Sequence, residues 1–489
     1  MIGLAAILLL VVAVYGQTVT FPFHFDDHAL FADPGILSPD GWWQSFRLRQ
    51  TRPLTWLTFW ANYQVGGATP WGYHAVNVAI HLGATAAAWR VFRRLAPPAA
   101  ALLAAAMFSL HPLQTEAVCY VFARAAILAT LFCLLAWDQW LAERPWAATV
   151  LFGLALLAKE EAVSFPLFLV LIARPVRWRP VAAMLGLSLA AGVRLLWVAA
   201  HTAGAGLTPS PSLSYLLLQP SAIIGYLQIF VVPIGQNFDH HITSPSPLAA
   251  LAIAALIAIA AWRFSPSGRW LLAALVLLAP TSSLIPLADP AFEHRMYLPL
   301  ISLTLAAALW LDRLPRPAQV LLVGSLAVLS FARARVWSSE QTLWADAAQK
   351  SPAKFRPKVQ LARTLLRTDP ARAEALLLDA RRLEPSNPEA YVQLGILRLE
   401  QRNPSAALVE FDNALRLAPT PDHHSNRAIA LYLLGRRGEA ESAFLRALDL
   451  NSCHPNARRN LRLLYQELGD HLRVQQLSVL PAGCPNLKD

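Results

Sequence analysis

Two adjacent carboxylates, Asp26 and Asp27, stand in the run His24-Phe25-Asp26-Asp27-His28, shortly after the apolar stretch Met1 to Tyr15. Like charges side by side are costly to keep ionised together unless cations or hydrogen-bond donors surround them. Read locally, the pair is an N-cap or an Asx turn opening the next segment. Read chemically, one of the two is a base that takes the proton from an attacking hydroxyl. The rest of the chain favours chemistry, because polar and ionisable residues recur where apolar windows begin or end. These are Arg52, then His74, Asn77 and His81, and then His111, Glu116 and Arg124. They continue with Lys159, Glu160 and Glu161, and close with Glu293, His294, Arg295 and Tyr297. His74, Asn77 and His81 are spaced i, i+3, i+7 and so share one helix face. A lone histidine in an apolar helix is ordinarily a structural hydrogen-bonding residue. A ring of ionisable groups on one side of a membrane is expensive to bury and marks a substrate site.

The chemistry that fits is sugar transfer from a lipid-phosphate donor. It needs a carboxylate beside the acceptor hydroxyl, cations that hold the lipid phosphate as it leaves, and a groove for the lipid tail. No glycine-rich phosphate loop and no GxSxG elbow is apparent, which argues against nucleotide hydrolysis and serine-esterase chemistry.

The elements that must position these groups are membrane helices. Of 489 residues, 56% are hydrophobic and 15% charged, against about 25% charged in soluble proteins. Apolar windows recur at 2–16, 72–94, 98–112, 120–141, 146–158, 162–173, 181–200, 212–232, 247–263, 269–287, 296–311 and 317–333. The net charge of +11 does not point to nucleic acid. The arginines cluster after apolar segments, at Arg90, Arg93 and Arg94 and at Arg174, Arg177 and Arg179, as orienting charges do. Counting crossings from these charges gives about eleven spans, with the Asp26-Asp27 loop outside, provided that 212–232, interrupted by Pro220, lies along the outer interface. The loop 17–71 carries Trp42, Trp43, Trp56 and Trp60, and tryptophan prefers the membrane–water boundary, so its helices are expected in that interface. Pro53 is expected to open the second of them.

After Arg335 the composition turns charged and repetitive. Pro385 and Pro419 are 34 residues apart, and Phe411 and Phe444 are 33 apart. Asn387-Pro388-Glu389-Ala390 returns as His454-Pro455-Asn456-Ala457. This is the tetratricopeptide period, with Tyr391, Gly395, Ala407 and Phe411 at its marked positions. Three to four repeats of paired helices are expected, forming a solenoid with a concave face for a protein partner. Cys119 and Cys133 sit in apolar stretches as small hydrophobes. Cys453 and Cys484 either pair in an oxidising compartment or stay free.

Phe25-Asp26-Asp27, Arg52-Pro53-Leu54-Thr55, Gly72-Tyr73-His74-Ala75-Val76-Asn77 with His81, and His111-Pro112-Leu113-Gln114-Thr115-Glu116 with Arg124 form an ordered series. Lys159-Glu160 and Glu293-His294-Arg295-Met296-Tyr297 continue it. The series, with the repeats behind it, resembles the transmembrane-and-tetratricopeptide protein O-mannosyltransferases and their bacterial C-type glycosyltransferase relatives. The resemblance implies an acidic pair essential to transfer on the first outer loop, here Asp26 and Asp27, with Asp26 the preferred base. It implies a polyprenyl-phosphate sugar as co-substrate, with Arg124, Lys159, Arg295 and His111 as donor or phosphate contacts. Arg52, His74, Asn77, His81, Glu116, Glu160, Glu293 and Tyr297 would shape the site. The family's Glu-Arg-Arg-Leu-Tyr pattern reads here with His294 in place of an arginine.

The expected architecture is therefore all-α: a polytopic C-type membrane bundle at 1–335, then a soluble tetratricopeptide solenoid at 336–489. The expected function is an inverting glycosyltransferase that moves a mannose-like sugar to hydroxyls of extracytoplasmic proteins. Its partners would be membrane lipid, the lipid-linked sugar and an acceptor protein or peptide, with no nucleic acid. No cofactor is indicated beyond the co-substrate, although a divalent metal beside the acidic pair stays open. Alanine, leucine, arginine and proline usage points to a bacterial inner membrane with the repeats in the periplasm. The competing readings are a membrane-anchored scaffold for envelope assembly, a transporter, and a lipid-linked glycan ligase or polymerase.

Overall fold

The computed structural model describes residues 2–47, 50–201, 212–263, 266–283, 285–479, 481 and 484. Its described elements are helical, and the chain divides into two units, 1–343 and 344–489.

In the first unit every apolar window contains a helix, although 269–287 is helical only as far as Leu278 among the described residues. Proline opens many of them, as at Pro53–Gly66, Pro70–Leu95, Pro98–Leu110 and Pro145–Ala158. A first-turn N–H has no intrahelical partner, so proline loses nothing there and its fixed φ suits the helix. Among the described residues five helices are long and apolar enough to cross a bilayer: Ile2–Thr20, Val121–Leu141, Trp178–His201, Leu213–Val231 and Arg316–Ser338. Pro98–Leu110, Pro145–Ala158, Pro247–Ala261, Gly268–Leu278 and Leu300–Leu311 are apolar but shorter than the about 20 residues of a perpendicular crossing. Length and hydropathy thus mark five candidate spans among the described residues, and do not confirm the expected count of about eleven. The segment expected to lie along the interface, Leu213–Val231, meets the requirement for crossing even with Pro220 inside it.

The core of this unit lies where Pro70–Leu95, Pro98–Leu110 and Arg124–Leu141 pack together. Ala84, Ala87 and Ala88 on Pro70–Leu95 and Ala101, Ala104 and Ala105 on Pro98–Leu110 are buried small residues, which let helix backbones approach closely. Trp137 fills the space beside Phe168 and Trp270, with ring centroids 4.9 and 5.8 Å away. Lys159 ends Pro145–Ala158, and Glu160–Ser164 forms a short turn before Phe165–Ile172. The chain breaks where the three charged residues fall.

The second unit holds four helix pairs, of which the last three begin at Pro388, Pro421 and Pro455, 33 and 34 residues apart. Side chains cap them: Asn387 accepts from the Glu389 amide, Asn403 from that of Ala406 and Thr420 from that of His423. Such caps satisfy N–H groups that the helix itself cannot. In the two middle repeats a buried phenylalanine, Phe411 or Phe444, packs on the second helix of the pair. At Gly395 any Cβ would overlap the Phe411 ring, so the repeat needs glycine there. Cys453 and Cys484 are joined by a disulfide, with Cα atoms 5.3 Å apart, and Cys119 and Cys133 are buried free thiols.

Candidate functional site

The first loop folds as short turns of helix, Gly16–Thr20, Phe25–Ala32, Pro34–Leu37 and Gly41–Phe46, before Pro53–Gly66. Asp27 lies in the first turn of Phe25–Ala32, and its carboxylate reaches back to the cap residue. Its Oδ2 accepts the His24 amide at 3.0 Å and its Oδ1 accepts the Phe122 amide at 2.7 Å. It is fully buried. Burial pushes the Asp27 carboxyl up to about 8, against the backbone donors that favour its charged form. Asp26, one residue earlier, is exposed, and its amide donates to the Tyr120 hydroxyl at 3.3 Å. Burial, and then the neighbouring carboxylates, hold the Tyr120 phenol well above its ordinary range, so it stays protonated beside Asp26.

The two carboxylates are thus divided by environment. A buried carboxyl that keeps its proton removes the like-charge repulsion between the two. Phe25, directly before the pair, has φ +47°. A bulky residue in the left-handed region costs about 1–3 kcal/mol and persists only where its surroundings fix it. Here the Phe25 ring packs edge-on against Phe238, centroids 5.9 Å apart. Phe238 also meets Tyr120 at 5.6 Å, Trp337 at 5.1 Å and Phe292 at 6.2 Å. His24 donates from Nε2 to the Trp337 carbonyl at 2.7 Å. Burial brings His24 down to about 4, so the imidazole is neutral.

Beneath this loop, His74, Asn77 and His81 do share one buried face. Asn77 Oδ1 accepts Arg124 Nε at 2.7 Å. The guanidinium also reaches Asn62 Oδ1 at 2.6 Å, Thr58 Oγ1 at 3.2 Å and the Tyr73 carbonyl at 2.9 Å, and lies over the Phe59 ring. Arg124 is fully buried among neutral acceptors. It fastens Pro53–Gly66 to Pro70–Leu95, rather than presenting itself to a phosphate. His81 receives the Tyr297 hydroxyl at 2.6 Å and donates to the Ser109 carbonyl at 3.0 Å. His74 faces the Pro22 carbonyl at 3.4 Å. Both nitrogens of His111 are engaged by backbone, with Phe230 O at 3.0 Å and the Leu113 amide at 3.2 Å.

Two clusters do gather ionisable groups. In the first, Arg52 grips both oxygens of Glu160, and Lys159 meets Glu161 at 2.7 Å. Burial opposes the Glu160 charge, but the Arg52 guanidinium prevails and holds the carboxyl down to about 2. In the second, Glu116 accepts His294 Nδ1 at 2.5 Å and the Glu293 amide at 3.1 Å. Glu293 Oε1 accepts the Asn237 amide at 2.5 Å and faces His240 Nε2 at 3.1 Å. Burial, and then the adjacent Glu293, hold the Glu116 carboxyl above its ordinary range. Burial, followed by Lys159, lowers His294, so the first cluster's charge reaches the second. Arg295 is tied to the Pro290 and Asp289 carbonyls at 2.9 and 2.7 Å.

The loop 236–241 was not singled out from the sequence, yet its Asn237, Phe238 and His240 join the acidic loop to Glu293. Its signal was there to find: a polar run, Gln-Asn-Phe-Asp-His-His, directly behind an apolar helix. Trp337 and Tyr120 gave no such signal. Among the described residues no three of His, Cys, Asp and Glu converge as a metal would require. Both Asp27 oxygens are engaged by backbone amides.

No protein-family model matches the chain. It is 35% identical over 184 residues to the protein O-mannosyl-transferase Tmtc1 of Drosophila melanogaster, which is 33% of this chain and 21% of that protein. It is 34% identical over 179 residues to Tmtc2 of the same fly, covering 31% and 19%. With human TMTC4 it shares 43% over 99 residues, covering 17% and 13%. The chain thus matches about a fifth of the length of the fly relatives, and its resemblance to the transmembrane-and-tetratricopeptide O-mannosyltransferases is borne out over about a third of its own length. The crystal structure of MamA overlaps 28% of this chain and 76% of that one, at 17% identity and a TM-score of 0.25, too slight a likeness to bear on the fold.

Proposed function

We propose that the chain is an integral-membrane glycosyltransferase that moves a mannose-like sugar from a polyprenyl-phosphate donor to hydroxyls of extracytoplasmic proteins. The observation that carries this reading is the division of the acidic pair. Asp27 holds the loop from within, and Asp26 is exposed, so that an incoming hydroxyl can come within reach of it as a base requires.

In the proposed step, Asp26 takes the proton from a serine or threonine hydroxyl as its oxygen attacks the anomeric carbon. The bond from that carbon to the phosphate oxygen breaks on the opposite face, so configuration inverts and polyprenyl phosphate leaves. Lys159 and Arg52, which meet Glu161 and Glu160, and Arg295 are the proposed holders of the phosphate, each competing with its present partners. Glu116, Glu293 and Glu160 keep those cations and His294 oriented. The membrane unit would carry the reaction and the repeats would select the acceptor on their concave face. The Cys453–Cys484 bond supports placing the repeats in an oxidising compartment, outside an inner membrane.

The test is transfer by purified protein in lipid, from radiolabelled polyprenyl-phosphate mannose to an extract of envelope proteins, with wild type beside Asp26→Asn. Label entering protein with wild type alone is the expected result. Failure with mannose and every other lipid-linked sugar would refute the reading and favour a scaffold.

A further inference from the structure

Far from the acidic loop in sequence, one end of the membrane unit gathers arginine. Arg90 and Arg94 both reach the buried Asp138 carboxylate, at 2.8 and 3.0 Å. Arg93 lies over the Trp89 ring. Arg177 bonds to the Trp140 carbonyl at 3.4 Å and meets Glu143 at 3.3 Å. These contacts bring three helix ends together: the end of Pro70–Leu95, the end of Arg124–Leu141 with Arg144 behind it, and the start of Trp178–His201, with Arg174 in the turn before it and Arg179 in its first turn. Two acids, Asp138 and Glu143, offset seven arginines. Arg144 and Arg179 are exposed and pair with no acid among the described residues.

Exposed apolar surface adjoins this charge. Trp146 and Trp178, 59% and 65% exposed, stand beside Arg144 and Arg179. Beyond them Val150, Leu167 and Leu189 are exposed on the helices that leave this end. Amphipathic tryptophan rings settle at headgroup depth, and arginine between helix ends takes phosphate bidentately. We propose that this end is a binding site for an anionic glycerophospholipid, with its phosphate on the arginines and its acyl chains along the exposed helix faces. The site is independent of the proposed transfer reaction.

Full-length protein, stripped of lipid in mild detergent, would be titrated with dioleoyl-phosphatidylglycerol or dioleoyl-phosphatidylcholine, and bound lipid counted by native mass spectrometry. Wild type should bind phosphatidylglycerol at least about tenfold more tightly, since choline cancels the phosphate charge in phosphatidylcholine and each arginine near an anionic lipid contributes about fivefold. The pair Arg144→Gln and Arg179→Gln should lose about 25-fold of that affinity, while Arg144→Lys with Arg179→Lys stays near wild type. Equal binding of the two lipids by wild type would overturn the proposal. So would undiminished phosphatidylglycerol binding by the glutamine pair, or an equal loss in the lysine pair.

Discussion

The division of labour between Asp26 and Asp27 can be tested by perturbing each alone. Asp27 accepts two amides, from His24 at 3.0 Å and Phe122 at 2.7 Å, in a fully buried position. Asp27→Ala strands both donors, and a buried unsatisfied donor costs about 1–3 kcal/mol, so the loop should lose about 2–6 kcal/mol of local stability. Asp27→Asn keeps one acceptor oxygen and turns an N–H toward the other amide, for about half that loss. Asp26→Asn leaves both amides their acceptor and should change local stability by less than about 0.5 kcal/mol. The assay is hydrogen exchange at the amides of His24 and Phe122, read by mass spectrometry, alongside the transfer rate. Asp27→Asn should speed exchange about 5- to 150-fold, since 1.4 kcal/mol is a factor of about ten, and should lower transfer through the disordered loop. Asp26→Asn should leave exchange unchanged and cut transfer by about 10²–10⁴, the range for a lost general base. Fast exchange in Asp26→Asn with protection retained in Asp27→Asn would show that the roles are reversed. Full transfer by Asp26→Asn would remove it as the base.

A pH dependence follows from the same residue. Burial raises Asp27 to about 8 from an ordinary carboxylate value, so the folded loop binds a proton that the unfolded chain has released. Its contribution is fully present below about pH 4, falls as pH rises, and is lost by about pH 8. Amide protection at His24 and Phe122, corrected for intrinsic exchange, should therefore decline across that window and flatten in Asp27→Asn. The Arg52–Glu160 pair gives a second test. Removing one partner leaves the other charge uncompensated, so Arg52→Ala should destabilise by about 3–5 kcal/mol at most, less what solvent screens, while Arg52→Met with Glu160→Met costs less than the single change. Thermal unfolding in detergent reads the difference, and equal losses would count against the pair as a unit. In the repeats, Cys453→Ser should cost about 2–4 kcal/mol, seen in denaturant unfolding as a shift that reductant reproduces in wild type.

Much of the fold follows from local pattern. Apolar windows of helix length became helices, because such segments in a chain this hydrophobic can satisfy their backbone only internally. The 33- and 34-residue spacing became paired helices, because each repeat presents its apolar face at the same positions, and Gly395 stands where Phe411 must pass. Hydropathy alone did not settle how many helices cross, since several are too short for composition to decide.

The sequence by itself determined which residue types gather near the ends of helices, and that the Asp26-Asp27 pair was the place to look for a base. It could not say which of two adjacent carboxylates is buried, because the groups that bury one come from far along the chain. Phe122 lies 95 residues from Asp27, Glu160 lies 108 from Arg52, and Trp337 lies 313 from His24. Nor could it show that Arg124 is enclosed by Asn62, Thr58, Asn77 and Tyr73, or that the loop 236–241 reaches Glu293. The protonation and reach of an ionisable group depend on the dielectric and the donors around it, and only the tertiary structure brings those together.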